Sequence, residues 1–336
     1  MCNVASRCRA NRSPALQGYH SGLFDKSLQT FARMSTNPSI HPKNVSPLPV
    51  RSGVGFAWQA LWTTRRKGTR ALQPVLKRFA VPSLDDAHVQ RYRQALGFAQ
   101  PGLPLTYLYL LAQRAHLAVM LSPNFPYALP GTVHVANDLH WVGSAAQDFE
   151  PSRASTLELR IDPELPSASG AHFLTLHASF CQHGPPLAVC SSRYLVKRGA
   201  RTGARRPRDE LPPRPLSAEW ARYRLPKDAG RTYAKLSGDA NPIHLWPWSA
   251  RLLGFPQPII HGMHTLGHVA ADMERVYGRR LQRLQARFLR PIPMPGVVVV
   301  LGQGHQAQAW SGGVLALAAE GAFMCTPQDQ PVSLPR

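Results

Sequence analysis

The chain has 336 residues, 44% of them apolar, which suits a globular core and is long enough for two domains or one large one. Its formal charge of +21 and sequence pI near 10.7 invite a nucleic-acid reading, yet the excess is mostly arginine spread along the chain, with no nucleic-acid module in view. The longest apolar stretch, Leu103–Leu121, is interrupted by Gln113, Arg114 and His116, so a buried helix is predicted there and no membrane span.

Cys2, Cys8, Cys181, Cys190 and Cys325 show neither CxxC nor metal-ligand spacing, and an odd number of them points to free thiols in a reducing compartment. Residues 1–50 are rich in Ser, Asn, Arg and Pro, carry Asp25 as their single acid, and lack an apolar period. The segment is expected to be disordered, or an extension ahead of a true start at Met34. A cytoplasmic location is the default. Residues 1–33 are Arg-rich and acid-poor enough that an organelle presequence is the alternative.

Apolar content rises from Gly53. Asp85–Ala95 opens with an N-cap-like acid and predicts a helix, and Gly102–Leu121 predicts a second, far more apolar one. Thr132–Asp138 alternates as a half-buried strand does, and strand-like runs return at Ser155–Ile161, His172–Gln182 and Leu187–Val196. Arg198–Pro215 combines Gly, Pro and charge with almost no large apolar residue, so it reads as an exposed linker. The expected organisation is an extension over 1–50, a first domain over 51–197, this linker at 198–215, and a second domain over 216–327.

The second half repeats the layout. Ser249–Leu253 predicts a short helix, Gly262–Tyr277 a buried central helix ended at Gly278, and strands follow at Leu281–Leu289, Val297–His305, Ala307–Trp310 and Gly313–Met324. Between them, Tyr233–Gly267 holds Ser237, Asp239, Asn241, His244, His261 and Gly262 among Pro242, Pro247, Pro256 and Pro258. Prolines at that density forbid one continuous helix over Asp239–Ile260 and predict an ordered, non-repetitive loop. Long irregular segments inside a compact domain are usually functional.

The run Ser-Gly-Asp-x-Asn-Pro-x-His at 237–244, followed by Gly-Phe-x-x-Pro-Ile-x-His-Gly-Met at 254–263, resembles the hydratase motif of MaoC-like dehydratases and (R)-specific enoyl-CoA hydratases. The resemblance implies an α+β, double hot-dog fold: two antiparallel sheets, each wrapped around a central helix and joined side by side. It implies reversible hydration of trans-2-enoyl-CoA to (R)-3-hydroxyacyl-CoA, with dehydration of a 3-hydroxyacyl-carrier-protein thioester or non-catalytic thioester binding as alternatives. The partner is then an acyl-CoA or acyl-carrier-protein thioester, a homodimer is allowed, and no cofactor is called for.

Such chemistry needs a base that activates water, a proton source for C2, and a donor to the enolate-like oxygen. Asp239 and His244 match the family's catalytic Asp and His, and both stand on a loop that lets them converge. Asn241 is expected to brace that loop, and Ser237 with Gly238 to shape the approach to it. Gly262 would open the central helix and offer its N–H to the thioester carbonyl; Phe255, Ile259 and Met263 would line the acyl tunnel. His261 and His264 read as structural, and no metal is expected because no carboxylate or Cys complements these histidines in sequence. The first half lacks Asp-x-Asn-Pro-x-His, so it reads as a degenerate copy that completes the sheet and shapes the groove. His116 and Asp138 read there as core or surface residues, not as a replacement pair.

Overall fold

The computed structural model describes residues 45–49, 62–66, 72, 75–143, 146, 148–197 and 214–324. The readings of the N-terminal 44 residues and of the linker up to residue 213 fall outside these.

The first half starts with β1 (Val45–Pro47) and β2 (Val75–Val81), then α1 (Asp86–Leu96) and α2 (Leu108–Met120). The strands β3 (Val133–Trp141), β4 (Ser155–Pro163), β5 (His172–Cys181) and β6 (Pro186–Lys197) follow. Asp85 caps α1 by accepting from the Ala87 N–H at 2.9 Å, and Gly97 ends it at φ +84°. α2 is buried nearly all round, from Leu108 and Tyr109 through Ala115 to Val119 and Met120, which explains why its sequence shows an apolar run and no amphipathic stripe.

The second half runs β7 (Ala218–Leu225), α3 (Ala229–Ser237), α4 (Pro247–Leu252) and α5 (Gly262–Tyr277). It closes with β8 (Leu281–Phe288), β9 (Gly296–Gln303), β10 (Gln306–Ser311) and β11 (Val314–Phe323). The bounds of α5, including its end at Gly278 with φ +63°, coincide with those predicted from the sequence.

Among the described residues one eleven-stranded sheet forms, in the order β1-β2-β4-β5-β6-β3-β8-β11-β10-β9-β7. Its pairs are antiparallel except β1 with β2. Numbering the strands within each half gives 1-3-4-5-2 for β2 to β6 and the mirrored 2-5-4-3-1 for β7 to β11. The two halves therefore share one plan and meet through their second strands, β3 and β8, paired from Ala136 with Arg287 to His140 with Arg283. α2 packs on β4 and β6, and α5 on β8, β10 and β11. This is the double hot-dog arrangement. Each central helix buries large side chains such as Leu108 and Leu266 completely, worth about 1.5–3 kcal/mol apiece.

Four elements, β1, β2, β7 and α3, were not anticipated from the sequence, and β1 falls inside the stretch over 1–50 that was expected to be disordered. β2 (VLKRFAV) puts Lys77 and Arg78 in succession, and β7 is an edge strand whose Glu219, Arg222 and Arg224 dilute its apolar face. α3 spans two turns and carries Gly230, which lowers its helical signal. That glycine has a packing reason: a Cβ there would lie 2.1 Å from the His244 carbonyl oxygen. α3 is further pinned by the first half, where the His88 ring on α1 donates to the Leu236 carbonyl at 2.8 Å and contacts the Tyr107 hydroxyl at 2.7 Å.

Candidate active site

The segment between α3 and α5 is less irregular than its prolines alone suggest. Pro242 starts a single 3-10 turn, Pro242–His244, and Pro247 starts α4; in both places proline occupies a first-turn position that needs no N–H. Gly238 ends α3 at φ +73°, and the chain then folds on its own side chains. Ser237 Oγ accepts from the Asp239 N–H at 3.1 Å, and Asp239 Oδ1 accepts from the Asn241 N–H at 3.2 Å. Asn241 Oδ1 accepts from the Ile243 N–H at 3.4 Å and so caps the 3-10 turn. Three short polar side chains thus replace the ladder that a helix or strand would have provided.

Neighbouring backbone fixes the far side. Ile259 donates to the Ile243 carbonyl at 3.2 Å, Ile260 to the Ile292 carbonyl at 2.9 Å, and Met294 to the Pro258 carbonyl at 2.8 Å. The His244 ring then points Nδ1 at the Ile259 carbonyl, 2.7 Å away. A carbonyl can only accept, so Nδ1 carries the proton and Nε2 of the neutral ring carries the lone pair. Burial lowers the His244 pKa, against the opposing pull of Asp239 and the Ile259 carbonyl, which keeps the ring neutral near pH 7.

His261 lies against His244 with ring centroids 3.7 Å apart and planes tilted by 30°, and its Nε2 donates to the Asp239 carbonyl at 3.0 Å. Ligand atoms of Asp239, His244 and His261 all lie within 4.8 Å of one another. The expectation of no metal therefore loses its stated ground, the lack of a carboxylate, because the fold supplies one in Asp239. One nitrogen of each ring is turned to a backbone carbonyl, His244 Nδ1 to Ile259 and His261 Nε2 to Asp239.

Gly262 is the first residue of α5, so its N–H has no carbonyl four residues back to bond within the helix. Its φ is ordinary; the glycine is required for space, since a Cβ would lie 2.7 Å from Phe288 Cδ1. Met263 is buried, with Sδ 3.8 Å from Asn137 Nδ2 on β3, so it faces the seam between the halves. Ile259 and Phe255 are half-buried, the former supplying the carbonyl for His244 and the latter donating its N–H to the Ala250 carbonyl after α4. Phe255 makes no ring contact with His244 or His261 among the described residues.

The first half also enters the site, which no local pattern in the chain announces. Gln113, in the middle of α2, donates its Nε2 to Asp239 Oδ2. Beside it Tyr109 and His134 stack with ring centroids 5.2 Å apart, and burial pushes the His134 pKa down to about 3, against the pull of Asp239. A polar residue inside an apolar run is the available signal for Gln113, and on its own it serves only to exclude a membrane span. His116 and Asp138 fall in separate networks, the former against the Tyr194 hydroxyl at 3.2 Å and the latter bound to Arg283. No described helix is long and apolar enough to cross a membrane.

Residues 202–314 match the model of the MaoC like domain. The chain carries a MaoC-like dehydratase domain. The chain is 27% identical over 226 residues to 3-hydroxyacyl-thioester dehydratase X of Mycobacterium tuberculosis, covering 66% of this chain and 78% of that protein. A stretch of 33 residues is 61% identical to the peroxisomal enoyl-CoA hydratase 2 of Arabidopsis thaliana, 10% of this chain and 11% of that one. The crystal structure of HtdX from Mycobacterium tuberculosis superposes with a TM-score of 0.61 at 22% identity, over 75% of this chain and all of that one. The matched region includes Ser237 to Met263 entire, so the MaoC-like domain contains every residue of the loop described above.

Proposed function

We propose that the protein interconverts trans-2-enoyl and (R)-3-hydroxyacyl thioesters, as a hydro-lyase of fatty-acid or related acyl metabolism. The observation that carries this reading is the convergence of the Asp239 carboxylate and the His244 imidazole, with Nδ1 of the ring tied to the Ile259 carbonyl. In hydration, a water held between Asp239 and His244 Nε2 loses a proton to this pair as its oxygen bonds to C3. The electrons of the double bond move toward the thioester carbonyl, giving an enolate-like oxygen. C2 then takes a proton from the pair, so that one water has been added. Dehydration runs the same steps backwards.

The N–H of Gly262 at the positive end of α5 is the donor assigned to the enolate oxygen. Asn241 and Ser237 hold Asp239 through backbone bonds, Ile259 holds His244 through its carbonyl, and Met263 and Phe255 are assigned to the acyl tunnel. The first half over 51–197 serves as a degenerate copy that completes the sheet, and the thioester is carried on CoA or on an acyl-carrier protein.

The test is the change in enoyl-thioester absorbance with crotonyl-, octenoyl- and dodecenoyl-CoA, followed by chiral analysis of the product. The proposal expects turnover of at least one substrate to the (R) alcohol. A catalyst that instead releases free thiol from saturated acyl-CoA would be a thioesterase and would overturn the reading.

A further inference from the structure

We infer that Gln113, supplied by the half that lacks the motif, is a positioning residue for Asp239; this rests on the hydratase reading above. Gln113 lies on α2, the central helix of the first half, and is buried with 8% of its surface exposed. A carboxylate accepts only, so the Gln113 amide must turn its NH2 group toward Asp239 Oδ2, while the Asn241 N–H occupies Oδ1. Each oxygen of the carboxylate is thus held by a donor from a different half of the molecule. The pair of donors fixes both the direction of the carboxylate and its tilt toward His244.

Gln113 belongs to a polar stripe on α2. On the same helix Tyr109 stands one turn before it and His116 one turn after. The Tyr109 hydroxyl lies 3.3 Å from His134 Nδ1 and 3.2 Å from the Tyr194 hydroxyl, and His116 Nδ1 lies 3.2 Å from that same Tyr194 hydroxyl. Burying this polar stripe in a core helix is costly unless every member has a partner. Here Tyr109 and His116 find theirs in the Tyr194 hydroxyl, and Gln113 finds its own in Asp239.

Two variants of the full-length protein decide the matter, in steady-state kinetics with whichever enoyl-CoA the wild type turns over. Gln113→Leu removes the donor, and a hydrogen bond to a charged group is worth enough to lower kcat about 10- to 100-fold, with KM changed by less than about threefold. Gln113→Glu keeps the shape and supplies a donor only while the new carboxyl holds a proton. Its activity should therefore survive at acid pH and collapse as pH rises, displacing the pH optimum downward by about one unit or more. Gln113→Leu adds no titratable group, and a structural role alone would reduce the amount of folded enzyme without separating kcat from KM. Should Gln113→Leu fail to fold, the isosteric Gln113→Glu decides by itself. Wild-type turnover together with a Gln113→Glu profile that overlays the wild-type profile would overturn this inference and leave the hydratase reading intact. A wild type inert toward all three thioesters would remove both.

Discussion

Asp138 on β3 and Arg283 on β8 form a bidentate ion pair across the strand pairing that joins the two halves, with Nε to Oδ1 at 3.0 Å and Nη2 to Oδ2 at 2.5 Å. Gln285 donates to the same Oδ2 at 2.8 Å, and His140 Nδ1 lies 3.6 Å from Oδ1. Burial pushes the Asp138 carboxyl up, but bonds from His140 and Arg283 and the charge of Arg283 outweigh it and hold the group at about 2. Removing the cation strands a buried carboxylate, whereas neutralising the acid leaves an amide that can still accept. Arg283→Leu should therefore cost about 3 kcal/mol in urea unfolding and Asp138→Asn clearly less. Equal costs, or none, would show that the seam is held by backbone pairing alone.

Glu274, on the buried face of α5, makes the fold sensitive to a rise in pH from acid to neutral. Burial raises its carboxyl to about 7, against the Leu281 N–H at 2.9 Å and the charges of Arg280 and Arg93. A folded pKa above the unfolded value means that the contribution of this group is fully present below about pH 4.5 and is lost as pH rises through about 7. A neutral amide in place of the carboxyl would keep an acceptor for the Leu281 N–H without the charge. Glu274→Gln should match the wild type in thermal unfolding near pH 4.5 and exceed it by up to about 3 kcal/mol above pH 8. Curves that stay parallel over that range would contradict the assignment.

Gly230 links the packing of α3 to the chemistry of the loop. A methyl group at this position has to displace either α3 or the His244 backbone, since its Cβ would lie 2.1 Å from that carbonyl oxygen. Gly230→Ala should lower kcat on the order of a hundredfold, because a shift of about 1 Å in a reacting group carries that penalty, with a stability loss of about 1–3 kcal/mol. Unchanged kcat in a folded variant would show that His244 tolerates movement of its backbone.

Much of this could be read from the chain, and the gaps have physical causes. α5 was legible to the residue because His261 and Gly278 punctuate a clean apolar period, and most strands of both halves were legible from their alternation. β7 escaped because an edge strand has one partner and carries charge where an interior strand carries apolar residues. The loop residues were legible through their motif, but the contact of His261 with His244 was not, since ring contacts between residues 17 positions apart leave no local pattern. Gln113 lies 126 positions from Asp239, and only folding of one half against the other brings them together. Gly230 shows the same limit: its need for space is set by a carbonyl fourteen residues away.

The most direct test of the central claim compares wild type, Asp239→Asn and His244→Ala in the enoyl-thioester absorbance assay, at one pH and with matched thermal stability. Asp239 and His244 acting as the acid–base pair predict that each variant loses a hundredfold or more in kcat. They also predict that the double variant falls little further than either single one, because the two side chains serve one water. Turnover that survives both substitutions would contradict the account.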